Sequence, residues 1–223
     1  MSRRLPLFPL DLVLFPGALL PLHIFEQRYR RLLADCLEGD RRFGLLLPGP
    51  EGADPPTGVI GTVAQIRATQ TLPDGRSNIV VGGEGRFRLR GYVEPESPYL
   101  VGLVDDFADE ESVDPAAAER VPELRRLGDR CLDALNALTD GEPTPDWSTD
   151  PGELSFQLAA LLRLDLDFKR RLLGIRSAAE RTGLLLEIAP PAVRDLEARA
   201  VVKVRAKRNG TGGAHPDLEI PGA

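Results

Sequence analysis

Side chains able to do chemistry are scarce in this chain. It holds two histidines, His23 and His215, two cysteines, Cys36 and Cys131, and three lysines, Lys169, Lys203 and Lys207. A phosphate-cradling Walker loop needs a lysine directly after a glycine, so that backbone amides and an ammonium converge on the phosphates, and none of the three lysines follows one. Gly82-Gly83-Glu84-Gly85 is glycine-rich, but no helix start follows it to supply the amide-lined anion site of a dinucleotide fold. It reads as a strand bulge or tight bend. The histidines are far apart and neither has a Cys/His pair beside it, which argues against a zinc site within one chain. No Gly-x-Ser-x-Gly elbow occurs, and a Ser-His-Asp triad would have to be built on His23, set among Leu22, Ile24 and Phe25, or on His215 in a glycine-rich tail. Hence no catalytic residue, cofactor or metal is expected.

Two charged patterns remain. Arg86, Arg88 and Arg90 alternate with Phe87, Leu89 and Gly91, which sets three arginines on one face of a strand. Such a stripe would suit an RNA backbone, but the molecule carries a net charge of −6 and a pI near 5.1. That field repels nucleic acid, so a solvated face is the simpler reading. Asp105 to Asp114 contains six acids and no base, and is expected to form a solvated connection between two units. Cys36 and Cys131 both fall in apolar helical stripes and should be buried, reduced thiols.

The elements that must carry these residues change in character along the chain. Leu5 to Phe8, Leu12 to Phe15 and Leu19 to Ile24 read as extended pieces, with a turn at Pro16-Gly17. Phe25, Tyr29, Leu32, Leu33, Cys36 and Leu37 then follow one helix face, stopped by Gly39. Phe43 to Leu47, Val59 to Ala68, Ser77 to Val81, Phe87 to Gly91 and Tyr99 to Val104 are further strands, with Leu72-Pro73-Asp74-Gly75 closing a hairpin. Many short strands and one helix before residue 105 predict a partly closed β-barrel. Beyond it the pattern is helical. Val121, Leu124, Leu127, Cys131, Ala134, Leu135 and Leu138 form a stripe with Pro122 in its first turn. Asp150-Pro151 and Ser177 open two more helices, a shorter piece runs from Phe168 to Leu173, and another helix follows Pro190-Pro191. The expected organisation is α+β: a barrel over 1–105, an acidic linker over 106–114, a helical subdomain over 115–206 and a disordered tail over 207–223.

The opening has a basic start and an apolar middle, but Pro6, Pro9, Pro16 and Pro21 break the helix a secretory signal needs, and no run is of membrane-spanning length. A cytoplasmic protein is expected, with no membrane partner. Arginine outnumbers lysine 25 to 3, a bias expected of a bacterial genome rich in G and C.

Leu5-Pro6-Leu7-Phe8-Pro9-Leu10, Val13-Leu14-Phe15-Pro16-Gly17 and Leu20-Pro21-Leu22-His23-Ile24-Phe25-Glu26-Gln27-Arg28-Tyr29 together resemble the opening of the Lon N-terminal domain family. Ile60-Gly61-Thr62-Val63-Ala64, Gly83-Glu84-Gly85-Arg86-Phe87 and Pro98-Tyr99-Leu100-Val101 extend the likeness. The resemblance implies a PUA-like barrel with a helical subdomain, and a role in selecting damaged or unfolded polypeptide for a protease or chaperone system. No P-loop or Ser-Lys dyad accompanies it, so a free-standing, non-catalytic recognition module is expected, with RNA binding through Arg86, Arg88 and Arg90 as the alternative. Phe15, Tyr92, Tyr99 and Trp147 are the candidate contact residues, because accessible aromatics supply most contact energy. The oligomeric state has no signature in the sequence.

Overall fold

A computed structural model describes residues 2–94, 97–110, 115–139 and 146–210, with the backbone alone for 206–210. Six strands are β1 (Arg3–Pro9), β2 (Leu19–Ile24), β3 (Arg42–Leu46), β4 (Ile60–Thr71), β5 (Ser77–Tyr92) and β6 (Val101–Asp106). Five helices are α1 (Gln27–Glu38), α2 (Pro115–Thr139), α3 (Pro151–Leu161), α4 (Leu166–Gly174) and α5 (Ala178–Gly210). The strands lie in the order β2-β5-β4-β3-β1-β6, and β6 returns to pair with β5. Among the described residues only the β1–β3 pair is parallel. The result is a partly closed ring of strands in an α+β fold, as expected, and not a true barrel. Strand β5 makes this possible: its first part pairs with β2 and its second with β6.

The hairpin between β4 and β5 forms as its sequence dictates. Gly75 takes φ +79°, its N–H donates to Leu72 O at 2.9 Å, and Arg76 N–H donates to Asp74 Oδ1 at 3.0 Å. The glycine run of β5 holds an irregularity in register, since Thr62 faces Arg86 while Ala64 faces Gly83. There Gly83 meets the chain around Phe15 so closely that a Cβ would lie 2.2 Å from Phe15 O. Close backbone approach explains why glycine is required.

Three apolar clusters hold the molecule together. Leu5, Leu7, Val63, Phe87, Leu89 and Val104 fill the ring, and Phe8, Tyr29, Leu32, Phe43, Ile66 and Val81 pack α1 against it. The third cluster is helical, centred on Leu124, Cys131, Leu154, Leu158, Leu172, Leu185 and Val193, yet it also contains Phe15 and touches Val13 and Ile60. Asp150 caps α3 by accepting from Glu153 N–H at 2.8 Å, and Ser177 Oγ accepts from Glu180 N–H at 3.2 Å at the start of α5. Cys36 and Cys131 are both free and buried.

Several expectations are corrected. Leu12 to Phe15 is no strand: Leu14 O is claimed by the Thr62 hydroxyl at 2.6 Å, and Leu14 and Phe15 turn inward as packing residues. Helix α2 begins at Pro115, so Pro122 is interior rather than first-turn. An alanine-rich start outweighs the one hydrogen bond lost there. Helix α5 runs unbroken through Pro190 and Pro191, with Ala189 and Val193 fully buried on either side. Packing holds it helical where propensity alone would end it. The helix reaches Gly210, past residue 207, the expected start of the tail, and 211–223 lie outside the described residues, as do 140–145. The described part of the acidic run, 105–110, is tied into the fold, and 111–114 lie outside the described residues. Asp105 and Asp106 end β6, Phe107 is buried, and Asp109 accepts from two buried arginines.

Candidate functional site

The four aromatic candidates do not converge. Phe15 is 1% exposed and stacks on Phe156 with centroids 5.9 Å apart. Tyr99 is 8% exposed, and its hydroxyl donates to Asp35 Oδ2 at 2.8 Å. Both are buried and pack in the interior, where the sequence reading has them as candidates for an exposed surface. Tyr92 is exposed at the end of β5, with its hydroxyl donating to Pro55 O. Trp147 is half-buried, covers Gly128, and donates from Nε1 to Asp129 Oδ1 at 2.7 Å.

The arginine stripe is also broken. Arg86 is buried; its Nη1 donates to Leu173 O at 2.6 Å and Ile175 O at 2.7 Å, and its Nη2 to Asp109. Arg181 completes the arrangement, donating from Nη1 to Asp109 Oδ1 at 3.0 Å, from Nη2 to Asp109 Oδ2 at 2.6 Å and from Nε to Ser155 Oγ at 2.6 Å. Desolvation pulls Arg86 down to about 10, opposed by the Asp109 charge and aided by the nearby Arg181 and Arg176 charges. Arg88 lies 4.8 Å over the Phe107 ring, and Arg90 pairs with Asp105 at 3.2 Å. At Arg86 the face that sequence alternation assigned to solvent is thus a seam between the strands and the helices, while Arg90 stays exposed.

An exposed apolar surface exists elsewhere, on β2. Leu20, Leu22 and Ile24 point inward, while Leu19, Pro21 and His23 point out, with Phe25 just beyond. Leu19 is 69% and Phe25 60% exposed. Cross-strand register continues this face, since Pro21 opposes Val80 and His23 opposes Asn78 on β5, while Ala68 and Gln70 of β4 oppose the same two residues. The six form the walls of a shallow depression of about 470 Å³. His23 Nδ1 donates to Asn78 Oδ1 at 2.7 Å and the imidazole stacks on Phe25 with centroids 6.1 Å apart.

Strand β2 pairs with β5 alone among the described residues, leaving its other edge open. Gly83 N–H donates to Ala18 O at 2.9 Å, which sets the alternation: even-numbered residues of β2 bond to β5, and Leu19, Pro21 and His23 turn their backbone outward. Pro21 has no N–H, so the open edge lacks one donor at its middle. Proline at this place is the usual guard against indiscriminate edge pairing. Side chains, more than free backbone groups, are therefore what this face offers. The sequence carried a signal for it, because β2 is apolar at both alternating sets of positions and contains a proline, the mark of an edge strand with a greasy outer face.

Among the described residues no three His, Cys, Asp or Glu side chains gather as they would around a metal ion, and no helix is long and apolar enough to cross a membrane.

Comparison with known proteins follows this geometry. A family model described as the ATP-dependent protease La (LON) substrate-binding domain matches residues 4–189. The Lon protease of Cytophaga hutchinsonii is 26% identical over 214 residues, covering 90% of this chain and 26% of that protein. Lon protease 2 of Myxococcus xanthus is 29% identical over 197 residues, covering 84% of this chain and 24% of its own. The chain thus spans about a quarter of the length of these curated relatives. The crystal structure of a Lon N-terminal domain protein from Xanthomonas campestris superposes with a TM-score of 0.62 at 27% identity, covering 83% of this chain and 98% of that one. The N-terminal domain of Mycobacterium avium complex Lon protease shares the fold, with a TM-score of 0.65 at 19% identity and coverage of 84% and 98%.

Proposed function

The chain belongs to the Lon substrate-binding domain family, and on that premise we propose that it binds unfolded or apolar segments of other polypeptides across the outer face of β2, β5 and β4. Substrate recognition is the role by which the family is described; the polypeptide class and the surface are inferred from this chain. The observation that carries the inference is the juxtaposition of Leu19 and Phe25, both more than half exposed, on either side of the Pro21–Val80–Ala68 depression. Exposed apolar side chains scattered singly mean little, but a contiguous set beside an open strand edge marks an interaction surface. The polar floor of His23, Asn78 and Gln70 gives hydrogen-bonding groups to a passing backbone without demanding one sequence.

Arg86 is committed to the interior and Arg90 to Asp105, so the Arg86, Arg88 and Arg90 face is poorly suited to an RNA backbone. Proteolysis belongs to the longer relatives; for this chain we propose delivery of bound segments to a protease or chaperone system. The experiment is titration of the purified, folded protein with an unstructured apolar peptide, read by fluorescence anisotropy. Saturable binding in the micromolar range is expected. No binding at tens of micromolar overturns the proposal.

A further inference from the structure

Leu19 also stands at the mouth of a second depression, of about 320 Å³, between the 11–20 loop and the corner joining α3 to α4. Leu12 and Leu20 form one wall and Ala160, Leu164 and Leu166 the other, with Asp11 and Lys169 as the charged groups. Asp11 is exposed and Lys169 half-buried. The acids nearest in sequence to Lys169 are engaged elsewhere: Asp165 caps α4 by accepting from Phe168 N–H at 2.8 Å, and Asp167 pairs with Arg170 at 3.2 Å. Among the described residues no side-chain hydrogen bond or ion pair reaches Lys169. A solvated carboxylate such as Asp11 needs no partner. Lys169 is the cation that lines the groove, and with no side-chain partner among the described residues it is free to meet an acid presented beside the leucines.

We propose, resting on the function argued above, that this groove receives an apolar side chain of the bound polypeptide while Lys169 pairs with an Asp or Glu side chain next to it. The occupant is an internal, extended segment. It lies along the outer face of β2, which at roughly 3.3 Å per residue is about 20 Å long, and passes over Leu19 into the groove. The site selects apolar segments flanked by an acid over those flanked by a base. This preference opposes the general field of a molecule with net charge −6, which favours basic peptides, so it can be told from non-specific attraction.

The test uses unstructured peptides with a leucine beside Glu, Gln or Lys, each with a free or amidated C-terminus. Binding is measured against the full chain, Lys169→Glu, Ala160→Phe and Phe25→Ser, with circular dichroism to establish folding. The Glu peptide is expected to bind wild type about three- to fivefold more tightly than the Lys peptide. Lys169→Glu, a half-exposed change that leaves the core alone, inverts that order, and Ala160→Phe weakens every peptide by filling the groove. Equal affinity for the Glu and Lys peptides, or an order unchanged by Lys169→Glu, overturns the inference. Loss of preference on amidation but not on Glu→Gln overturns it in favour of a terminal carboxylate, and peptide-displaceable dimers in sedimentation do so in favour of a second copy. Peptides weakened by Phe25→Ser but indifferent to both groove variants sink the groove alone, whereas no binding of any peptide sinks the function on which it rests.

Discussion

Arg181 holds Asp109 with both terminal nitrogens, Nη1 to Oδ1 at 3.0 Å and Nη2 to Oδ2 at 2.6 Å. Arg86 from β5 donates to the same carboxylate, so one acid compensates two guanidinium groups whose side chains are 3% and 0% exposed. Helix α5, strand β5 and the segment after β6 meet at this one residue.

Asp109→Ala leaves two buried cations without a counter-ion, and a loss of about 3–5 kcal/mol in unfolding free energy is expected. Asp105→Ala breaks only the exposed Arg90 pair and a hydrogen bond from Ser2, with an expected loss below about 1 kcal/mol. Urea titration of both variants measures the contrast. Equal losses would mean that the Asp109 cluster contributes no more than a surface pair.

Burial pushes the Cys36 thiol from its ordinary 9.0 up to about 12, aided by the charges of Asp40 and Asp35. With the folded pKa raised, the native state keeps its proton while the unfolded chain gives its own up. The stability this contributes is therefore complete below pH 9 and is lost as pH rises to about 12. Cys36→Ala is expected to flatten the fall of the urea midpoint between pH 9 and 11, and a thiol reagent at pH 8 should label the native protein far more slowly than the unfolded chain.

Gly128→Ala should expose Trp147. A Cβ there would lie 2.4 Å from Trp147 Cζ2, so the indole must leave and its hydrogen bond to Asp129 must break. As the only tryptophan in the chain, it reports directly: emission shifts to the red, and stability falls by about 1–3 kcal/mol. An unmoved spectrum would place the indole elsewhere.

Leu19→Asp and Phe25→Ser should each weaken apolar-peptide binding by about tenfold, the scale of a modest hot spot. Both side chains are exposed, so melting temperatures should hardly change. Weakened binding only in company with a lowered melting temperature would point to misfolding instead.

Local rules recovered what local physics decides. The Leu72–Gly75 hairpin, the Asp150 and Ser177 caps and the irregularity at Gly82–Gly85 are all written within a few residues of themselves. Alternation also put Arg86, Arg88 and Arg90 on one face, but not what covers it, since Leu173, Ile175 and Asp109 lie 23 to 89 positions from Arg86. Phe15 shows the same limit: an aromatic residue between two turns gives no hint that Phe156 awaits it. The exposed apolar face of β2 was passed over because aromatic content was weighed above strand alternation, and Leu19 and Phe25, rather than tyrosines, are its most exposed large apolar side chains.

Strand β2 hangs from β5 outside the partly closed ring of strands, because β5 turns to β6 only after β2 has ended. A force drawn along β2 therefore meets one backbone ladder, and beyond it only the packing of Leu20, Leu22 and Ile24, before it reaches the ring.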